Sequence, residues 1–137
     1  MIGSVLHGLY TSDTIRGVFA WRYVERFMHF LETDNTLNCV FSDRLDGYAC
    51  PEIERELSLR VANFKKGRQD AQLVFDLTDV IYISSAFLRI CLIYCKTFGK
   101  HHFSVANVSE DIHKVFHISG FIEIMHVTRA DRTPKIV

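Results

Sequence analysis

From Leu73 to Val108 the chain passes from a β-rich apolar stretch to a helical one and back to a β-rich one. Leu73-Val74-Phe75 with Asp76-Leu77 predicts a short strand, apolar on both sides, and after Asp79 Val80 to Ile83 continue as a short β-rich run. Ser84-Ser85 follow, and a helix is expected from about Ala86 to Phe98. That segment is apolar nearly all round, with only Arg89 and Lys96 charged, which is the pattern of a largely buried helix. Gly99 ends it, and His102 to Val108 supplies the next strand. Strand, long crossover and strand close as parallel neighbours joined by a right-handed connection. This unit places the chain in the α/β class.

The flanks extend the pattern. Ile53, Leu57, Val61 and Phe64 form one stripe of a helix from Pro51 to Lys66, with Pro51 in the first turn and Gly67 as the stop. Ser109 caps a further helix with Glu110 and Asp111 in its first turn, and Ile112, Val115, Phe116 and Ile118 are expected to face inward. After Gly120, Phe121 to Val127 alternate well enough for a last strand. Met28 to Glu32 and Leu37 to Ser42 read as two earlier strands around an Asp34-Asn35 turn. The expected order is strand, strand, helix, strand, helix, strand, helix, strand. In residues 1–27, Ser12 can cap a helix from Asp13 to about Arg26, whose Ile15, Phe19, Trp21 and Val24 are expected to bury against the domain or across a homodimer.

Composition narrows the function classes. Sixteen basic and sixteen acidic residues among 137 cancel, which argues against nucleic-acid binding by broad phosphate neutralisation and against a polybasic membrane-surface protein. No apolar run approaches the ~20 residues of a membrane span, and no secretory signal is evident. Cys39, Cys50, Cys91 and Cys95 form no C-x-x-C pair, so core thiols in a reducing compartment are expected rather than a zinc or redox site. His113 and His117 are four apart on a helix, but they fall among polar positions with no third metal ligand nearby. No phosphate-binding glycine loop, H-E-x-x-H or G-x-S-x-G occurs. Ser84-Ser85 stand out instead, because they occupy a strand-to-helix junction at the carboxyl end of a sheet, where α/β proteins place their sites.

Leu73 to Leu92 reads LVFDLTDVIYISSAFLRICL. It resembles the STAS domain, specifically the bacterial anti-sigma factor antagonists, whose run is an apolar strand, Asp-Leu, a short gap, then Tyr-Ile-Ser-Ser-Ala-Gly-Leu-Arg or Asp-Ser-Ser-Gly-Leu. Arg44-Leu45-Asp46 before the Pro51 helix is similar to the family's strand, Leu-Asp turn and first helix. Val105 to Ile112 and Val115 to Phe121 resemble its later strand, Ser-capped helix and closing turn. The resemblance covers about Met28 to Val127. It implies a STAS-like fold at 28–127: a mixed, mostly parallel sheet of about five strands with crossover helices. Residues 1–27 are then an N-terminal extension, and the tail at 128–137 lacks the apolar stripe for the family's final helix.

The same resemblance implies a function. It points to a non-enzymatic regulatory module in the bacterial cytoplasm that needs no cofactor. Such a module docks on an anti-sigma factor serine kinase and is switched by phosphorylation of one serine, which aligns with Ser85. Ser84 then stands where many members have Asp, and Asp46 matches the acidic residue of the neighbouring loop. Phe87 departs from the pattern, standing where the family usually has glycine, and is expected either to crowd a kinase cleft or to shape an altered interface. Asp46, Ser84, Ser85 and Phe87 are the expected partner surface. STAS domains also serve transporters, so the alternative, which Phe87 favours, is a small subunit binding the ATPase of an ABC (lipid or anion) transporter without phosphorylation.

Overall fold

In the computed structural model, which describes residues 25–130, a five-stranded mixed sheet has its strands in chain order. Strands β1 (Met28–Glu32) and β2 (Thr36–Leu45) form an antiparallel hairpin around the expected turn. Helix α1 (Cys50–Lys65) carries the chain over to β3 (Gln72–Ile83), parallel to β2. Helix α2 (Ser85–Phe98) leads to β4 (Phe103–Val108), and α3 (Glu110–Ile118) to β5 (His126–Arg129), again parallel. Every crossover steps to the next strand in the same direction. Right-handed connections of that kind place all three helices on one face of the sheet.

That face holds the core. Register sets Leu37, Cys39 and Phe41 of β2 beside Leu73, Phe75 and Leu77 of β3 and Phe103 and Val105 of β4, all of them buried. Ile53, Leu57, Val61 and Phe64 of α1 join the same cluster, as their spacing requires. Phe75 is its centre, with Phe41, Phe87, Tyr94 and Phe103 rings 4.9 to 6.1 Å away. Aromatic contacts of this kind add about 0.5–1.5 kcal/mol each beyond area burial. The backbone just before β1 is pinned too, since Ser42 donates from its backbone N–H to the Phe27 carbonyl and from its Oγ to the Arg26 carbonyl.

Four expectations are corrected. The short strand at 73–77 and the β-rich run at 80–83 are one continuous strand of twelve residues, in which Thr78 and Asp79 are exposed in-strand positions. Helix α2 is not buried all round, because a helix lying on a single sheet face has an outer side: Phe87, Ile90, Cys91, Tyr94 and Cys95 face the core, Leu88 and Leu92 are half-buried, and Ile93 is exposed. On α3, Ile112 and Phe116 are buried, but Ile118 is 84% exposed and Val115 is exposed as well. The last strand begins later than expected, because Gly120 takes a positive φ of 80° and turns Phe121–Glu123 into a single 3-10 turn. The expected helix at 13–26 lies outside the described residues except for its last two positions. Among the described residues, no helix is long and apolar enough to cross a membrane.

Candidate functional site

The carboxyl ends of β2 and β3 lie side by side, Leu45 opposite Ile83, and each feeds a helix. Two helix N-termini therefore open at the same edge of the sheet, one after Asp46 and one after Ser84. Crevices of this kind at the ends of parallel strands are where open α/β sheets bind their ligands and partners.

The Leu45 carbonyl organises the junction. It accepts from the Ser84 N–H at 3.0 Å, from the Ser84 hydroxyl at 2.8 Å and from the buried Cys50 thiol at 3.8 Å. Ser84 has extended backbone and caps α2, its Oγ accepting from the Phe87 N–H at 3.4 Å. The Ser84 hydroxyl is thus spent on holding the end of β2 to the start of α2, and the side chain is half-buried. Burial pushes the Cys50 thiol up, against the lowering effect of its contact with Ser84, and the Asp46 and Glu54 charges add to the rise. A neutral thiol at the base of the junction is a packing group and not a nucleophile.

Asp46 is half-buried and also committed to the backbone. Its Oδ1 accepts from the N–H groups of Tyr48 and Ala49, both at 3.0 Å. That turn orients the chain into α1, where Pro51 follows in the first turn.

Ser85 differs from both. It is the first residue of α2, exposed, with no hydrogen bond from its hydroxyl to any other described residue. Phe87 is the correction at this site. Its side chain is fully buried, in T-shaped contact with Phe41 at 5.0 Å between ring centres, so it neither stands in front of Ser85 nor belongs to the outer surface. The ring points inward because position 87 is on the face of α2 that meets the sheet.

Sequence reading missed the rest of the rim. Tyr48 is 86% exposed and Ile81 69%. Tyr82 is exposed too, beneath the Arg44 guanidinium 4.4 Å from its ring centre. Beside Ser85, a groove of about 530 Å³ runs between α1 and α2, lined among others by Cys50, Pro51, Glu54, Arg55, Ala86 and Arg89. The spacing of Ser85 and Arg89, four apart in a helix, was a visible signal that could have found its cationic wall. His113 and His117 do lie together on α3, and among the described residues no cluster of three His, Cys, Asp or Glu side chains is placed to hold a metal ion.

No family model matches the sequence, and no curated relative does. Solved structures do match. An anti-sigma factor antagonist from Mycobacterium paratuberculosis is 20% identical, with a TM-score of 0.63 over 74% of this chain and 83% of that one. A putative anti-sigma factor antagonist from Thermotoga maritima is 14% identical, with a TM-score of 0.64 over 78% and 89%. The anti-sigma factor antagonist SpoIIAA in its unphosphorylated form is 16% identical, with a TM-score of 0.56 over 76% and 89%. Likeness at this level of identity is a likeness of architecture, and it establishes that the chain has the STAS fold of the anti-sigma factor antagonists.

Proposed function

We propose that this chain is a non-enzymatic regulatory module of the cytoplasm that binds an anti-sigma factor with serine kinase activity and is released when that partner phosphorylates Ser85. The observation that carries the reading is the contrast at the junction: Ser84 is locked into the fold, while Ser85 is exposed beside it with a hydroxyl that bonds to no other described residue. In the transfer, the Ser85 Oγ–P bond forms as the bond between the β-bridging oxygen and the γ-phosphorus of a bound nucleoside triphosphate breaks. The diphosphate departs, and the hydroxyl proton passes to a base of the partner. The product adds about −1.5 to −2 charges at neutral pH. It sits at the amino end of α2, where unpaired N–H groups and the helix dipole favour an anion. The fold tolerates the phosphate, and the cost falls on a partner shaped to a neutral hydroxyl. Asp46 and Ser84 serve this surface by positioning the two helix starts, and Tyr48, Ile81 and Tyr82 provide its apolar contact area. The transporter reading loses its supporting feature, because Phe87 lies in the core and does not alter the surface.

The test is capture from the source cells. The parent chain and Ser85→Ala should retain a partner that Ser85→Asp loses, and incubating the parent with that partner and a magnesium nucleoside triphosphate should add one phosphate at Ser85. Equal capture by all three chains, or a captured transporter ATPase that leaves Ser85 unmodified, would overturn the proposal.

A further inference from the structure

The groove beside Ser85 carries Glu54 and Arg55 on its α1 wall and Arg89 on its α2 wall. Arg89 follows Ser85 by four residues, so the two share one face of α2. Side chains on a helix lean toward its amino end, which brings the Arg89 guanidinium within reach of the turn that Ser85 begins. In the unmodified chain Arg89 turns to α1 instead, with Nη2 3.9 Å from Glu54 Oε1. The two side chains are 72% and 42% exposed, and a contact so long and so wet holds weakly. Arg55 is committed more closely, at 3.1 Å from Glu52 on its own helix.

We propose that Arg89 reads the phosphate within the chain: when Ser85 is phosphorylated, Arg89 leaves Glu54 and pairs with the phosphate, and Glu54 is left unpaired on the wall of the groove. This rests on Ser85 being the modified residue. A phosphate offers nearly twice the charge of a carboxylate and three acceptor oxygens that match the guanidinium fork. The modification then changes the surface at two places. An anion appears at Ser85, a second is uncovered at Glu54, and the groove between α1 and α2 loses its bridging cation. A partner that contacts the groove senses the phosphate even where it does not touch it.

The test installs phosphoserine at position 85 during synthesis of the full chain, so that no kinase is needed and failure of the switch reading is seen separately. Phosphorus NMR then follows the second ionisation of the phosphate, near pH 6 when unperturbed. Arg89→Gln should raise that pKa by roughly 0.2–0.4 units or more, the scale of a helical i,i+4 ion pair. Glu54→Gln should lower it, and lower it more in the Arg89 chain than in the Arg89→Gln background, since only there does Glu54 compete for the guanidinium. An unchanged pKa in Arg89→Gln, or a Glu54→Gln effect of equal size in both backgrounds, would overturn the proposal.

Discussion

Ser84 and Ser85 are chemically identical neighbours with opposite duties, and the difference lies in one backbone step. Ser84 is still extended, so its hydroxyl points back to the Leu45 carbonyl and the first turn of α2. Ser85 is already helical, so its hydroxyl points out. Ser84→Ala removes both a cap and the tie to β2, and it should cost about 1–2 kcal/mol in urea unfolding. Ser85→Asp places a carboxylate at a helix amino end and should cost nothing, with a gain of up to ~0.5 kcal/mol. Equal losses for the two variants would mean that Ser85 is structural. Asp43 and Asn107 show the same economy of position: both take positive φ, at 69° and 60°, beside the register shifts of β2 and β4. Asp and Asn are the ordinary side chains that best tolerate that region.

Among the elements, α2 separates position from composition. Its sequence is apolar nearly all round, yet Phe87 is fully buried while Ile93 is exposed. Phe87→Ala should therefore cost about 3–5 kcal/mol, the usual range for emptying a buried ring site. Leu88→Ala should cost less, since Leu88 is only half-buried. Ile118→Gln at the exposed end of α3 should stay within about 0.5 kcal/mol of the parent. Chemical denaturation of the three variants checks the ranking, and a large loss for Ile118→Gln would mean that this end of α3 is covered. The limits of α1 were legible to within one residue, because Pro51, Gly67 and a four-residue stripe all agree. The inward turn of Phe87 was not legible, since a helix apolar on every side does not disclose which face meets the sheet. The short extent expected for the strand at 73–77 and the early last strand misled for a related reason: over three or four residues, hydrophobic alternation cannot distinguish a strand from a turn. The site's key pair was legible because a serine before an apolar helix is a cap by chemistry, whereas the exposed Tyr48 and Ile81 carry no pattern that marks them.

On the scale of the whole molecule, stability should form a dome in pH with two different causes. On the acid side stands Asp76. Burial pushes its carboxyl up, but hydrogen bonds from the Thr78 hydroxyl at 2.6 Å and the Thr78 N–H at 3.0 Å, helped by Asn107 and the charge of His29, outweigh that and hold it below the usual range. A depressed folded pKa stabilises above the unfolded value of about 3.9 and is lost as pH falls through the folded one, so Asp76→Asn should flatten the acid limb. On the alkaline side stand the four thiols and Tyr94. Cys39, Cys50, Cys91 and Cys95 are all free and buried, and burial pushes each thiol up. Burial likewise takes Tyr94 up to about 12, with help from the Glu54 and Cys39 charges. Their contribution is complete below the unfolded thiol pKa of about 8.5 and declines as pH rises toward the folded values, because only the unfolded chain can release those protons. Unfolding free energy should therefore fall steadily above about pH 8.5. Cys39→Ala and Cys91→Ala should each lower stability at pH 7 through the cavity they leave, yet make the alkaline decline shallower. The same burial predicts that an aromatic disulfide reagent at pH 8 finds no fast thiol in the native chain and all four in urea. Prompt reaction of any thiol in the folded protein would show that the helical face of the sheet opens without global unfolding, and an undiminished alkaline slope in both variants would remove the thiols as its cause.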